Sequence, residues 1–332
     1  MSNGPGHAPN RPPEGDEEDF AFAELDTVVT EKPASSTPPH MVIADRYRLN
    51  ERLGGGAMGE VWRARDVATG QDVAIKIMRE SVEPEISARF HREARVLSRI
   101  RHPSVLAVWD YGTEPRPYVV MELLEGQDLE ALLRHEERLP LDRATWIFSK
   151  VCEGLQSVHD AGIIHRDIKP ANIFCLHTGE VKLVDFGLAK RPHKFVTKPA
   201  EITDGTTMEA PLTKRGNIMG TIKYISPEQL SRADIDYRSD LWSAAVVLFR
   251  MLTGQHAFPG NSDIDIMLSI MQGTPPVPSR DVKDFPHRLK AMLDNFFVRA
   301  LQKNPAHRFS SASEMAGALA TIAAQAGMKP RG

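Results

Sequence analysis

His165-Arg166-Asp167-Ile168-Lys169-Pro170-Ala171-Asn172 is the stretch on which the reading of this 332-residue chain turns. Six of its eight residues are polar or conformationally special. It follows a helical pattern over 141 to 161 and precedes short apolar segments, so it reads as a loop held by its flanks. Farther on, Asp185-Phe186-Gly187 follows a short strand at 181 to 184. Asp167, Asn172 and Asp185 are hard oxygen donors of the kind magnesium takes alongside substrate phosphates. Asp-Phe-Gly alone reads as a turn. Both motifs together, downstream of a lysine on an apolar strand, are hard to assign to chance.

That lysine is Lys76, at the end of Val73-Ala74-Ile75-Lys76. An inward ammonium on such a strand requires an anionic partner, because an isolated buried charge is costly. Glu93, midway along the next helical pattern, is the obvious one. The alternative is a surface ion pair, worth ~0–1 kcal/mol. Upstream again, Gly54-Gly55-Gly56-Ala57-Met58-Gly59 lies between two strands. Its G-x-G-x-x-G spacing is shared with dinucleotide-binding folds, where it opens a helix instead. A glycine hairpin lets backbone N–H groups approach phosphate oxygens; a plain glycine turn has the same sequence.

Around these motifs the chain divides by pattern. Residues 1 to 42 are rich in Pro, Gly, Ser, Thr and acid and read as a tail without a core. Strands are expected at 47 to 53, 61 to 66, 73 to 78, 106 to 111 and 118 to 123, with a helix over 84 to 101. After Gly126 helices dominate: 128 to 136, 141 to 161, 226 to 231, 238 to 253, 263 to 271, 286 to 301 and 311 to 325. A strand-rich part followed by a helix-rich remainder implies an α+β protein of two lobes. Residues 190 to 219 show little periodicity, a length of loop that is unusual without a function.

Composition sets the bounds. Hydrophobic residues make up 41% and charged ones 26%, ordinary for a globular chain. Net charge is -3, with eight acids and one base in residues 1 to 31 and an excess of four bases over the rest. Neither half suggests a nucleic-acid binder, which needs a concentrated basic face. Two cysteines cannot form a disulfide framework in a chain of this size, so reduced thiols and a cytoplasmic setting are expected. No apolar run approaches the ~18 residues needed to span a membrane.

With these motifs in this order, the chain resembles the eukaryotic-type Ser/Thr protein kinases, particularly their bacterial branch. The resemblance covers about residues 47 to 322. It implies a two-lobed fold, with a small lobe over about 47–124, a large lobe over about 125–325, an activation segment at 185–228, and tails at 1–42 and 326–332. It implies ATP and magnesium as cofactors, with manganese as an alternative. Gly54, Gly56 and Gly59 match the phosphate-covering loop, and Lys76 and Glu93 the ion pair that holds the α/β-phosphates. Asp167 matches the base that accepts the substrate hydroxyl proton, and Asn172 and Asp185 the metal-binding pair. Val61, Ala74 and Phe174 would sandwich the adenine. The backbone of Glu122 and Leu124 would supply hinge contacts, with Met121 at the back. Leu53, Gly55, Ala57, Met58 and Asp128 would complete the nucleotide site. Leu97, His165 and Phe186 would belong to an apolar stack linking the lobes.

Lys169 and Thr221 match residues that shape the site for Ser/Thr hydroxyls. Ser226-Pro227-Glu228 stands where the family has Ala-Pro-Glu, and Asp240 and Arg308 match structural residues, Arg308 pairing with Glu228. Arg166 before Asp167 implies activation by loop phosphorylation, since a phosphate can neutralise and order such an arginine. Thr213 is the first candidate phosphosite, then Thr207 and Thr206; the segment is longer than is usual. Protein substrates, including the chain itself, are implied, as is weak pairing through the small lobes. Thr27 and Thr30 in the acidic tail could be read by a phosphothreonine-binding partner, and Phe20–Leu25 could dock one. Two other readings remain at this stage: a catalytically dead scaffold, and a small-molecule phosphotransferase, which would lack the Gly-Thr and Ser-Pro-Glu segment.

Overall fold

The computed structural model describes residues 41–55, 59–79, 84–186, 222–231, 233–280 and 287–327. The small lobe is an antiparallel sheet of six strands. They are β1 (Val42–Ile43), β2 (Tyr47–Gly55), β3 (Gly59–Asp66), β4 (Asp72–Met78), β5 (Val108–Gly112) and β6 (Tyr118–Glu122), in the spatial order β1-β2-β3-β4-β6-β5. β1 begins at Val42, at the edge of the segment expected to be tail, because Ile43 is fully buried against Tyr47 and its neighbours.

β4 is the central strand, and its period-two alternation places the lysine. Val73, Ile75 and Ile77 face one apolar cluster with Tyr47, Leu49, Ala64, Tyr118 and Val120. Met78 on the other face joins the cluster containing Phe90, Ala94, Leu97 and Val119. Lys76 and Ala74 share Met78's face, toward the cleft. The helix on that side, α1 (Pro84–Leu97), ends at Leu97 and unwinds through turns to Ile100, short of the expected residue 101. Phe90, Ala94 and Leu97, spaced i, i+4, i+7, are buried on the face toward β5 and the core.

The large lobe begins with β7 (Gly126–Asp128) and α2 (Leu129–Glu136), then α3 (Leu141–Asp160). β8 (Ile173–Leu176) and β9 (Val181–Leu183) pair with β7 in a three-stranded sheet. Sequence reading finds β9 but passes over β7 and β8. Next come α4 (Pro227–Ser231), α5 (Arg238–Thr253), α6 (Asp263–Gln272), α7 (His287–Ala300) and α8 (Ala312–Gln325). Fourteen of the sixteen residues of α5 are buried. A helix apolar nearly all round belongs in the centre of a core, and α3 and α7 pack against it, with α8 on α3 and α7. Among the described residues no helix is long and apolar enough to cross a membrane.

Candidate active site

The loop between α3 and β8 is held from below by α5. Asp240, 1% exposed, accepts the backbone N–H of His165 on Oδ2 and that of Arg166 on Oδ1, each at 2.8 Å. His159 Nε2 lies 2.8 Å from the same Oδ2. Arg166 has φ 65°, a left-handed conformation that costs a β-carbon-bearing residue of order 1–3 kcal/mol. The two charge-assisted hydrogen bonds to Asp240 offset that cost. They fix the chain direction just before Asp167.

His165 is buried and threads this loop to the next. Its Nδ1 accepts the N–H of Asp167 at 3.3 Å, so its proton sits on Nε2, which donates to Val184 O at 3.2 Å. Burial holds the imidazole below its usual range against the pull of Asp240 and Asp167. The ring is therefore neutral, and it packs on Phe186 with centroids 4.5 Å apart. Leu97 and Phe186 lie in the same apolar cluster, which carries side chains from both lobes.

Asp167 is 7% exposed. Asn172 Nδ2 donates to its Oδ2 at 2.8 Å and to its carbonyl at 2.7 Å. Both amide hydrogens of Asn172 are spent on Asp167, which leaves Asn172 Oδ1 as an acceptor with a set direction. The turn Pro170–Asn172 is closed by Asn172 N to Lys169 O, and Val184 N donates to Asn172 O at 3.0 Å. The two motifs are thus stitched together by backbone bonds. Lys169 stands half-buried between them.

Across the cleft, Lys76 Nζ donates to Asp185 Oδ1 at 2.5 Å. Burial opposes the charge on Asp185, but the ammonium and hydrogen bond of Lys76 outweigh it and hold the carboxyl below its usual range. Asp185, like Arg166, has a positive φ, 50°. Its second oxygen, with Asn172 Oδ1, makes a donor set of the hard type that suits magnesium. Glu93 stands half-buried on α1, beside the buried Ala94.

The nucleotide-side expectations that fall within the described residues are placed as follows. Ala74 faces Met121 across β4 and β6, Val61 faces Lys76 across β3 and β4, and Phe174 is buried on β8. Leu53, Gly54 and Gly55 end β2, and Leu124 is half-buried after β6. Gly59 has a packing reason for being glycine: an added β-carbon would collide with the backbone carbonyl of Ile77 on β4. Asp128, expected at the nucleotide site, has a structural task in the fold. Only 2% exposed, it caps α2 through Oδ1 and Ala131 N at 2.7 Å. Gly56, Ala57, Met58, Thr206, Thr207, Thr213 and Thr221 lie outside the described residues, as do Gly187 and the tail at 1–40.

Sequence reading passes over several members of the site. Lys182 Nζ meets Glu122 Oε1 at 3.0 Å, and that oxygen also accepts Ala107 N–H at 2.7 Å, while Glu122 N donates to Ala107 O. The hinge end of β6 is pinned on both its backbone and side-chain sides. The signal that marks Lys76, a lysine inside an apolar strand, marks Lys182 equally. Gln229 Nε2 donates to Arg166 O at 3.1 Å and its Oε1 accepts Ser226 N–H, which ties α4 to the loop. Arg166's own side chain is exposed and makes no ion pair among the described residues.

Below α4, Arg308 and Glu228 form a two-bond fork, 2.7 Å on each arm, with side chains 0% and 5% exposed. Arg308 also donates to the carbonyls of Gln302, Arg238 and Lys303, and Ser239 Oγ donates to Glu228 Oε1 at 2.6 Å. All five N–H groups of Arg308 have an acceptor, and both oxygens of Glu228 a donor.

Comparison with known proteins agrees with this geometry. The protein kinase domain family matches residues 47–319. The chain is 37% identical over 292 residues to a probable serine/threonine-protein kinase of Corynebacterium efficiens, covering 86% of this chain and 42% of that one. It is 37% identical over 287 residues to the serine/threonine-protein kinase PknB of Mycobacterium leprae, covering 84% and 43%. It is 36% identical over 294 residues to PknB of Mycobacterium tuberculosis, covering 86% and 44%. The chain thus spans less than half the length of these relatives.

Proposed function

The chain belongs to the protein kinase domain family, and from that premise we propose that it transfers the γ-phosphoryl group of ATP to serine and threonine hydroxyls of proteins, itself included. The observation that carries this reading is the Asp167–Asn172 pair on a loop anchored by Asp240. A carboxylate held by an amide, with its backbone fixed from a buried helix, cannot swing when a substrate hydroxyl arrives. Preorganisation of this kind lowers the barrier without reorganisation at the moment of reaction.

Asp167 takes the hydroxyl proton, Lys76 holds the α/β-phosphates, and Lys169 lies beside the transferring group. Asn172 and Asp185 would hold magnesium, which when bound neutralises charge on the phosphates. Lys76 would then exchange its bond to Asp185 for bonds to phosphate oxygens. A positioned base contributes ~10²–10⁴-fold. We therefore expect Asp167→Asn to lower transfer of labelled phosphate from ATP by ~10²-fold or more, with nucleotide affinity nearly unchanged. Nucleotide affinity falling in step with the rate would remove Asp167 from the chemistry.

The scaffold reading finds no support, since Lys76, Asp167, Asn172 and Asp185 are all present and brought together by the loops. Activation by phosphorylation rests on Arg166, whose exposed guanidinium follows a strained backbone and lacks an ion-pair partner among the described residues. Thr213 is the proposed acceptor. Phosphosite mapping that finds Thr213 unmodified in active protein would remove it. A cytoplasmic location, weak pairing through small lobes, and recognition of phosphorylated Thr27 or Thr30 by a partner belong to the same proposal.

A further inference from the structure

The large lobe carries a second concavity, away from the nucleotide cleft. It has a volume of about 590 Å³ and lies between the turn Ile222–Tyr224, the end of α5, α6 and the segment before residue 281. Its size falls within the ~300–1,000 Å³ typical of ligand pockets. Phe258, Ile266 and Val277 give it apolar walls, and Lys223 and Arg280 give it charge. Among the described residues no acid lines it. Lys223 Nζ donates to His256 Nε2 at 3.1 Å, and Arg280 is exposed. Burial, with the charges of Lys223 and Arg250, pushes His256 down to about 4, so the ring is a neutral acceptor. Neither cation has a carboxylate partner among the described residues. The groove therefore combines apolar walls with two positive charges that no described carboxylate pairs.

One segment of this chain has the complementary chemistry. Asp16-Glu17-Glu18-Asp19-Phe20-Ala21-Phe22-Ala23-Glu24-Leu25 carries five acids and no base, with two phenylalanines and a leucine among them. Its composition is otherwise unexplained by the kinase machinery. Some twenty residues separate Phe20 from Met41, and at ~3.3 Å each they extend up to ~65 Å.

We propose that residues 16–25 dock in this groove of their own chain, the phenylalanines against Phe258, Ile266 and Val277 and the acids against Lys223 and Arg280. The segment then lies beside the turn Ile222–Tyr224. The inference goes beyond the phosphotransfer reading and holds with or without it, because docking needs no nucleotide.

Hydrogen–deuterium exchange on the full chain without ATP tests it. Residues 255–260 and 274–280 should exchange about five-fold or more faster in Phe20→Ser/Phe22→Ser than in wild type, the protection of a docked surface being lost. Arg280→Glu should give the same acceleration, and adding Glu17→Arg and Glu18→Arg to it should restore protection. Both sites of substitution lie outside the core, so each variant keeps the fold. Equal exchange in wild type and the Phe20→Ser/Phe22→Ser variant would overturn the proposal. So would protection that grows with protein concentration, which would assign the groove to a second copy.

Discussion

Two ion pairs of this molecule use the same chemistry for opposite ends. Lys76–Asp185 spans the cleft with side chains 22% and 35% exposed, and each partner has one hydrogen bond to the other. Arg308–Glu228 is sealed beneath α4 with side chains 0% and 5% exposed, and its atoms are also bonded to three backbone carbonyls and a serine. In the proposed phosphotransfer the cleft pair is a placeholder that nucleotide displaces. The sealed pair is a rivet that nothing displaces. The difference is burial and the number of further bonds, since the bare Coulomb attraction is similar in kind.

The sharpest way to break this contrast is Arg308→Ala. Removing one partner strands Glu228 in the core, and loss of a buried partner costs about 3–5 kcal/mol. Urea unfolding of the full chain should show that loss. A cost under ~1 kcal/mol would place the pair in the surface class.

Acid should separate the pair next. Glu228 titrates below its ordinary value of 4.5 in the fold, because the bonds and charge of Arg308 and the bond from Ser239 outweigh burial. The folded protein therefore binds that proton less readily than the unfolded chain does. Its contribution is present above the ordinary glutamate value and drains away as pH falls through the folded value. The stability of wild type should fall between pH 5 and 3 more steeply than that of Glu228→Gln, with pH the only variable in urea titrations. Identical slopes would mean that Glu228 titrates alike in both states.

The smallest expected change in stability is at the cleft. Lys76→Met should alter unfolding free energy by ~1 kcal/mol or less, as for partly exposed pairs, while phosphate transfer falls steeply. A large stability loss would make Lys76 a structural residue and erase the contrast.

The cleft side of this comparison is legible in the sequence because its parts are motifs, short runs whose residue types declare chemistry. Lys76, Asp167, Asn172 and Asp185 are found that way, and the helix and strand pattern gives most of the elements around them. The supports are a different matter. His159 and Asp240 are 81 residues apart, and Ser239 on α5 and Arg308 in the connection between α7 and α8 converge on Glu228. No local pattern records who meets whom across such separations. Asp128 shows the converse limit: the letter was readable, but whether a buried aspartate caps a helix or faces a ribose depends on where its oxygens point.

That distance along the chain has a consequence for synthesis. The ribosome releases His165 and Arg166 before the helix whose carboxylate must receive their amides. At ~5–20 residues per second, the intervening 75 residues take about 4–15 s. Through that interval a complete small lobe and catalytic loop exist with nothing to hold Arg166 in its left-handed turn. Until α5 has emerged and been buried, the loop that carries Asp167 lacks its anchor, a delay set by sequence order.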